Sequence, residues 1–319
     1  MLGSGASSER VRAAVSGGAG YDEQLWRQMA AQGWLALDLP EAQGGLGLGF
    51  VEVAVLCEAV GRHVAPAPFM STTLALHALA SAGGAGAPWV ERLASGDAIG
   101  CVAWGSELVV DAPIADVAVV ASPAALRLLE FGEARPAAQP AMDLTRTVAW
   151  LEGDGGVVIA DGEAVADLLD RGATAYAAEM LGASERMLEV SVDYAKVREQ
   201  FGRPIGAFQA IKHRLADMLV DVEGMRSAVY YAAWAVATGA DDRSLAASTA
   251  KSWASDASRR VMDQALQVHG GIGFTWEHDL HLYLKRVHLS GRQFGDGVYH
   301  RDRIARLLRA RIATSSDIW

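Results

Sequence analysis

The chain has little cysteine, no long apolar run and no excess of positive charge. Its two cysteines, Cys57 and Cys101, stand apart in apolar surroundings, so neither a zinc quartet nor a disulfide framework is available and both read as small core residues. No uninterrupted apolar run reaches the roughly 18 residues of a membrane-spanning helix. The Gly/Ser/Ala-rich stretch from Met1 to Gly20 holds no apolar segment of the secretory kind, so the expectation is a cytoplasmic protein. Lysine and arginine number 28 against 38 aspartates and glutamates, a formal net charge of −10. That balance argues against a nucleic-acid or anionic-membrane surface, because both demand a basic footprint. A Gly-x-Ser-x-Gly elbow, a Walker A loop and a Cys-x-x-Cys pair are also absent, and Gly83-Gly84-Ala85-Gly86-Ala87-Pro88 lacks the spacing of a dinucleotide-binding loop. What is present is 319 residues, 51% hydrophobic and 21% charged: enough for two or three domains with a real core, and too little charge for disorder. Small-molecule or protein partners are the default.

Three textures follow one another. Residues 21–98 carry apolar positions at three- and four-residue spacing (Leu25, Met29, then Phe50, Val53, Ala54, Cys57, Val60), interrupted by Pro40, Gly44-Gly45 and Pro66-Ala67-Pro68, which predicts short helices joined by turns. From Ile99 to Ala160 brief β-prone runs take over: Ile99–Trp104, Leu108–Val110, Asp116–Ala121, Leu126–Phe131, Thr147–Glu152 and Val157–Ala160. Beyond Asp161 the helical period returns, predicting helices near Ala173–Arg198, Phe208–Thr238, Ser244–His269, Leu280–Ser290 and Tyr299–Ile312. The expected fold is mainly α with a small β-domain (α+β): an N-terminal helical domain over 1–98, a reduced antiparallel β-domain over 99–162 and a C-terminal helical bundle over 163–319.

Four constellations have chemistry to offer. In Arg198-Glu199-Gln200-Phe201-Gly202-Arg203-Pro204-Ile205, followed by Phe208-Gln209, a helix expected to end at the glycine meets a new one, presenting a cation and side-chain amides to one spot, as a pyrophosphate would require. The alternative, that Arg198 complements a helix dipole and Gln200 is solvated, stays open on spacing alone. In Gln267-Val268-His269-Gly270-Gly271-Ile272-Gly273-Phe274 a helix-stopping turn explains the first glycine and leaves the other two free to admit a backbone or a phosphate. Glu277, His278, Asp279, His281 and His288 lack the paired Glu-x-x-His of a bundle metal centre, and read better as a helix start with acidic residues. Arg301, Arg303, Arg306, Arg309 and Arg311 alternate with Ile304, Leu307, Leu308 and Ile312, predicting an amphipathic helix with the arginines outward, a subunit contact.

Together these segments resemble the acyl-CoA dehydrogenases. Leu25-Trp26-Arg27 through Gly33-Trp34, with Leu39-Pro40-Glu41 and Gly44-Gly45-Leu46-Gly47, is similar to that family's N-terminal helical domain. Met142-Asp143-Leu144-Thr145-Arg146 resembles its Asp-x-Thr strand near the end of the β-domain. The most specific matches are Arg198-x-x-Phe201-Gly202-x-Pro204-Ile205-x-x-Phe208-Gln209 and Gln267-x-His269-Gly270-Gly271-x-Gly273-Phe274. The resemblance implies an FAD-dependent flavoprotein in which these two motifs reach a neighbouring subunit's cofactor: Arg198 at the pyrophosphate, Gln200 and Phe201 close by, Gln209 at the adenosine portion, Gln267 with Gly270 and Gly271 at the phosphates.

The family reaction takes the α-proton of an acyl-CoA thioester with a carboxylate while the β-hydrogen leaves as hydride to the flavin, which requires a base in a dry pocket. Here the sequence departs from the pattern. The family's Glu-Gly pair corresponds to Phe294-Gly295, and the alternative base position falls near Gly172-Ala173. The nearest carboxylate, Asp296, is a displaced base or an ordinary loop aspartate. The β-domain is reduced, and Cys101-Val102-Ala103-Trp104 stands where a Thr-Glu-Pro segment is often found. The resemblance therefore implies no catalytic residue in this chain. It looks like the short subunit of heteromeric α2β2 acyl-CoA dehydrogenases of actinobacterial steroid catabolism, whose full-length homologous partner holds the base, the flavin ring and the acyl-CoA substrate; an electron-transfer flavoprotein is the expected oxidant. Against the family the chain is short, mainly in the N-terminal leader and the β-domain. The other readings are a self-sufficient homomeric dehydrogenase using Asp296 and a structural subunit without cofactor.

Overall fold

A computed structural model describes residues 1–18, 20–105, 108–151 and 155–314. Six helices come first: α1 (Leu2–Gly5), α2 (Ser8–Gly17), α3 (Glu23–Ala31), α4 (Phe50–Arg62), α5 (Phe69–Ala82) and α6 (Ala87–Ala94). Their starts follow local chemistry. Ser7 and Asp22 accept the N–H groups of Arg10 and Leu25 to cap α2 and α3, and Glu52 reaches back to the Gly49 N–H ahead of α4. In α3 the buried stripe is Leu25, Trp26 and Met29; in α4 it is Phe50, Val53, Ala54, Cys57 and Val60, the three- and four-residue spacing of an amphipathic helix.

Strands β1 (Gly100–Trp104), β3 (Val117–Ala121), β4 (Ala125–Glu130) and β6 (Val157–Asp161) form one sheet in the order β1-β3-β4-β6, while β2 (Val109–Val110) and β5 (Val148–Ala149) pair separately. The sheet is mixed rather than purely antiparallel, because β1 and β3 run parallel with Gly100 opposite Val117. The connection between them contains β2 and a 3₁₀ turn at Ala112–Ile114, a crossover of the length a parallel return needs. Asp143–Arg146 is a turn and not a strand: the Asp143 carboxylate accepts both the backbone N–H and the hydroxyl of Thr145, a local bond that competes with ladder formation. The expected run Thr147–Glu152 contributes only β5, and Glu152 lies outside the described residues.

The remainder is helical: α7 (Gly162–Val197), a two-stranded hairpin of β7 (Glu199–Gln200) and β8 (Arg203–Pro204), then α8 (Gln209–Thr238), α9 (Arg243–His269), α10 (Leu280–Ser290) and α11 (Gly297–Thr314). Helix α7 begins well before the expected Ala173, because Asp161 caps it by accepting the Glu163 N–H and Val165, Leu168 and Leu169 are already buried. Helices α4 and α7 cross in backbone contact. A Cβ on Gly61 would overlap the Glu179 carbonyl, and one on Gly182 the Glu58 carbonyl, so glycine at both positions is a steric requirement.

Where the 143–149 segment meets the bundle, a fully buried ionic network fastens the two. Glu179 accepts from Arg146 Nη2 at 2.6 Å, Arg286 Nη1 at 2.9 Å and the Ser290 hydroxyl, and Arg286 Nε donates to Asp143 at 2.8 Å. Charges are tolerated at such depth only when each is paired and hydrogen-bonded. In α11 the arginines do not all face outward. Arg303 is buried, 2.6 Å from Asp170 and 3.0 Å from the Ser248 hydroxyl, whereas Leu308 and Ile312 are exposed. The buried carboxylate of Asp170 draws that one arginine inward.

Candidate functional site

Helix α7 stops at Val197, five residues before the glycine expected to end it, because Arg198 turns extended while its N–H still bonds the Tyr194 carbonyl at 2.9 Å. The chain then reverses in a hairpin that pairs Gln200 with Arg203. Its two central residues, Phe201 (φ 53°) and Gly202 (φ 76°), both lie in the left-handed region, as a type I′ turn demands. Glycine suits that position, but phenylalanine there costs roughly 1–2 kcal/mol. The strained Phe201 ring is 92% exposed, braced edge-on by Phe208 at 6.1 Å, over which the Arg203 guanidinium sits at 4.2 Å. Helix α8 opens with Phe208 at its cap position and no side-chain cap, leaving Gln209 exposed at its first turn.

Helix α9 ends beside this hairpin. The His269 ring stacks on Tyr194 at 4.6 Å, and Arg214 of α8 donates to Gln264 of α9, so the end of α7, the start of α8 and the end of α9 share one end of the bundle. His269 is buried, its Nδ1 2.8 Å from the Ala265 carbonyl and its Nε2 without a partner; burial lowers its pKa and holds it neutral. Of the three glycines that follow, two have a structural reason and one has none. Gly270 has φ 60°, which ends the helix; a Cβ on Gly273 would press on His269 at 3.1 Å; Gly271 has neither a left-handed φ nor any neighbour within 4 Å. Among the described residues nothing requires a glycine at 271.

The seven residues singled out in the sequence, Arg198, Gln200, Phe201, Gln209, Gln267, Gly270 and Gly271, are all exposed at this end. Gln200 donates only to the adjacent Glu199 carbonyl, and among the described residues nothing pairs with the Arg198 guanidinium. Large apolar side chains lie bare around them: Phe274 is 70% exposed and Trp276 60%. A free guanidinium, open glycines and exposed aromatics suit an anionic ligand and a protein partner together.

The two positions expected to carry a base are elsewhere and filled. Phe294 is 3% exposed, stacked on Trp104 at 5.7 Å and tilted against Tyr176 at 5.8 Å. A Cβ on Gly172 would overlap its ring, so the two positions form a single packing unit. The loop is pinned behind it. Lys251 Nζ donates to the carbonyls of Ser290, Gly291 and Gly295 at 2.9 to 3.1 Å, and His300 Nε2 lies 2.9 Å from the Phe294 carbonyl. Asp296 accepts the Tyr299 N–H at 2.9 Å and so caps α11; that bond and the Val298 N–H hold its carboxyl below the usual range. It borders a separate cavity of about 160 Å³ with Arg259, His288, Arg292 and Arg301. Among the described residues no three His, Cys, Asp or Glu side chains are placed to hold a metal: the ring of His278 lies against His269 and that of His281 against Trp276. No helix of the described residues is long and apolar enough to cross a membrane.

Tyr194 and Tyr176 are not legible in the sequence, since each acts through a ring distant along the chain: Tyr194 against His269 and Tyr176 against Phe294.

Comparison with known proteins is consistent along the chain. Residues 8–97 match the family model described as acyl-CoA dehydrogenase, N-terminal domain, and residues 161–308 that of the acyl-CoA dehydrogenase C-terminal domain. Acyl-CoA dehydrogenase IpdE2 of Mycolicibacterium smegmatis is 41% identical over 291 residues, 91% of this chain and 89% of the relative. Among solved structures, a chain of the Tcur3481–Tcur3483 steroid ACAD G363A variant superposes with a TM-score of 0.90 at 29% identity, covering 98% of this chain and 96% of that one. A chain of the ChsE4–ChsE5 complex from Mycobacterium tuberculosis gives a TM-score of 0.87 at 28% identity, covering 99% and 95%. The chain belongs to the acyl-CoA dehydrogenase family.

Proposed function

We propose that this chain is one half of a heteromeric, FAD-dependent acyl-CoA dehydrogenase of the cytoplasm, in which it completes the nucleotide end of the FAD site of a homologous full-length subunit in an α2β2 assembly. The observation that carries the proposal is the contrast between its two halves: the base positions are packed shut by Phe294 against Gly172, while the Arg198 and Gly270 motifs stand open and unpaired. The residues present fit FAD. Among the described residues, none uses the room at Gly271 and none pairs with the Arg198 guanidinium, the fork that binds a diphosphate. When bound, FAD supplies the acceptor for the hydride leaving the β-carbon of an acyl-CoA thioester.

This chain's own contribution is binding and orientation. Arg198 would neutralise the pyrophosphate, with Gln200 and Phe201 helping to hold it; Gln209 would bind the adenosine portion; Gln267, Gly270 and Gly271 would let the backbone approach the phosphates. The α-proton goes to a carboxylate of the partner, because no acid of this chain stands at either base position. The acyl-CoA is held by the partner, and the solved structure described as a steroid ACAD supports a bulky polycyclic thioester. An electron-transfer flavoprotein is the expected oxidant, and neither nucleic acid nor membrane is a partner. The three domains run over 1–98, 99–162 and 163–319.

The test is to co-produce the chain with the acyl-CoA dehydrogenase encoded beside its gene, then record visible absorbance and mass. A flavin-loaded tetramer from the pair and a colourless lone chain are expected; stoichiometric FAD and turnover in the lone chain would overturn the proposal.

A further inference from the structure

We infer that Arg12, on helix α2 near the start of the chain, is a positioning residue for the Gly270-Gly271 turn; the inference rests on the FAD reading proposed above. Its guanidinium spans three acceptors on the segment that leaves the turn. Nε and Nη2 donate to Asp279 Oδ1 at 2.9 and 2.5 Å, Nη1 to the Trp276 carbonyl at 2.6 Å, and Nη2 to the Glu277 carbonyl at 3.3 Å. Only a planar, forked cation reaches these acceptors from one position. Helix α2 provides a fixed base for the reach, since Arg10 is tied to Asp22 at 2.6 Å and Val11 is 2% exposed.

The held segment carries His278, and a chain of ring contacts runs from it to both nucleotide motifs. The His278 ring lies 4.5 Å from His269, which stacks in turn on Tyr194 at 4.6 Å. His269 directly precedes Gly270, and the Tyr194 carbonyl receives the Arg198 N–H. His269 has a single hydrogen bond, at Nδ1, and no partner at Nε2, so the tilt of its ring about that bond is set by the two rings that flank it. Releasing Trp276–Asp279 removes one flank, and the backbone of Gly270 and Gly271 loses its reference to Arg198. Arg12 and Asp279 are each about one-third exposed. A pair so exposed adds little to global stability, which separates a positioning role from a structural one.

The experiment uses the co-produced complex, stripped of flavin and titrated with FAD, with visible circular dichroism of the bound flavin as a second signal. Arg12→Ala is expected to weaken FAD binding by roughly tenfold and change the flavin dichroism, with little shift in the melting temperature of the stripped complex. Arg12→Lys, which keeps a cation near Asp279 but not the fork across the carbonyls, is expected to recover part of the affinity. Arg198→Ala separates the two levels of the argument. If Arg198→Ala weakens FAD and Arg12→Ala does not, the positioning role is wrong and the FAD reading stands; if neither changes FAD binding, the FAD reading fails and the inference with it. Should Arg12→Ala fail to assemble, Asp279→Ala, which removes the oxygen that two of the guanidinium donors share, puts the same question, and unchanged FAD affinity there overturns the role.

Discussion

Phe294 takes the space that a side chain at residue 172 would need: any Cβ on Gly172 would overlap its ring. The two positions expected to carry a catalytic carboxylate are therefore coupled to each other by packing. Gly172→Ala should cost about 1–3 kcal/mol through overpacking, and Phe294→Ala in the same chain should return part of the loss, which denaturant unfolding of the three variants measures. Phe294→Glu should not yield a dehydrogenase. Its carboxylate would sit between Trp104 and Tyr176 without a partner, so it should unfold the loop or take up a proton; a flavin-dependent turnover acquired by the lone chain would contradict this.

Asp296 distinguishes a base from a helix cap by its substitutions. Asparagine caps as well as aspartate, so Asp296→Asn should leave both stability and the turnover of the assembled enzyme nearly unchanged. Asp296→Ala should cost about 1 kcal/mol of stability with turnover kept. Removing a true base would lower kcat by about 10²–10⁴ in either variant, and steady-state kinetics of the complex decides between these outcomes.

Arg198→Ala should strip flavin from the complex. A charge-assisted contact of this kind is worth about 1.5–3 kcal/mol, or roughly ten- to a hundredfold in FAD affinity, read from bound flavin after gel filtration. An unchanged flavin-to-protein ratio would instead mark a structural subunit without cofactor.

Four ionisable groups tie the N-terminal segment to α7. His77 lies with Nδ1 3.2 Å from Asp38 and Nε2 3.5 Å from Asp167, and Arg171 bonds both carboxylates. Burial alone would lower the pKa of His77, but the Asp167 and Asp38 carboxylates outweigh it and raise it. Because the folded value is the higher, the stabilisation is complete below the unfolded histidine value and is lost as pH rises through the folded one. Replacing His77 with glutamine should therefore cost more stability at pH 6 than at pH 8.5 in urea unfolding. His300 runs the other way: burial, with Lys251 nearby, pushes it down to about 3. Its neutral ring stabilises the fold above the unfolded value, and that contribution fades as pH falls below about 6.5.

Glu179→Gln should be among the most damaging single changes. It leaves Arg146 and Arg286, both buried, short of their shared carboxylate, at a cost of about 3–5 kcal/mol in equilibrium unfolding.

Much of this molecule follows from local sequence. The three- and four-residue spacing of Val53, Cys57 and Val60 and the long apolar series after Asp161 suffice to place helices, because a helix buries whatever recurs at its own period. Leu280–Ser290 lies where the spacing put it. The order of helices, strands and helices, the open Gly270-Gly271 turn and the absence of a carboxylate at residues 294 and 172 were likewise readable from residue types alone. Tertiary structure decided what depends on partners far along the chain. It turned β1 and β3 parallel, drew Arg303 inward to Asp170, made a turn of Asp143–Arg146, and brought Arg12 to Asp279 across 267 positions. It also seated Phe294 over Gly172. Hydrophobic period and turn chemistry act over a few residues, whereas the pairing of a buried charge or the filling of a missing Cβ is settled only when distant segments compete for the same volume.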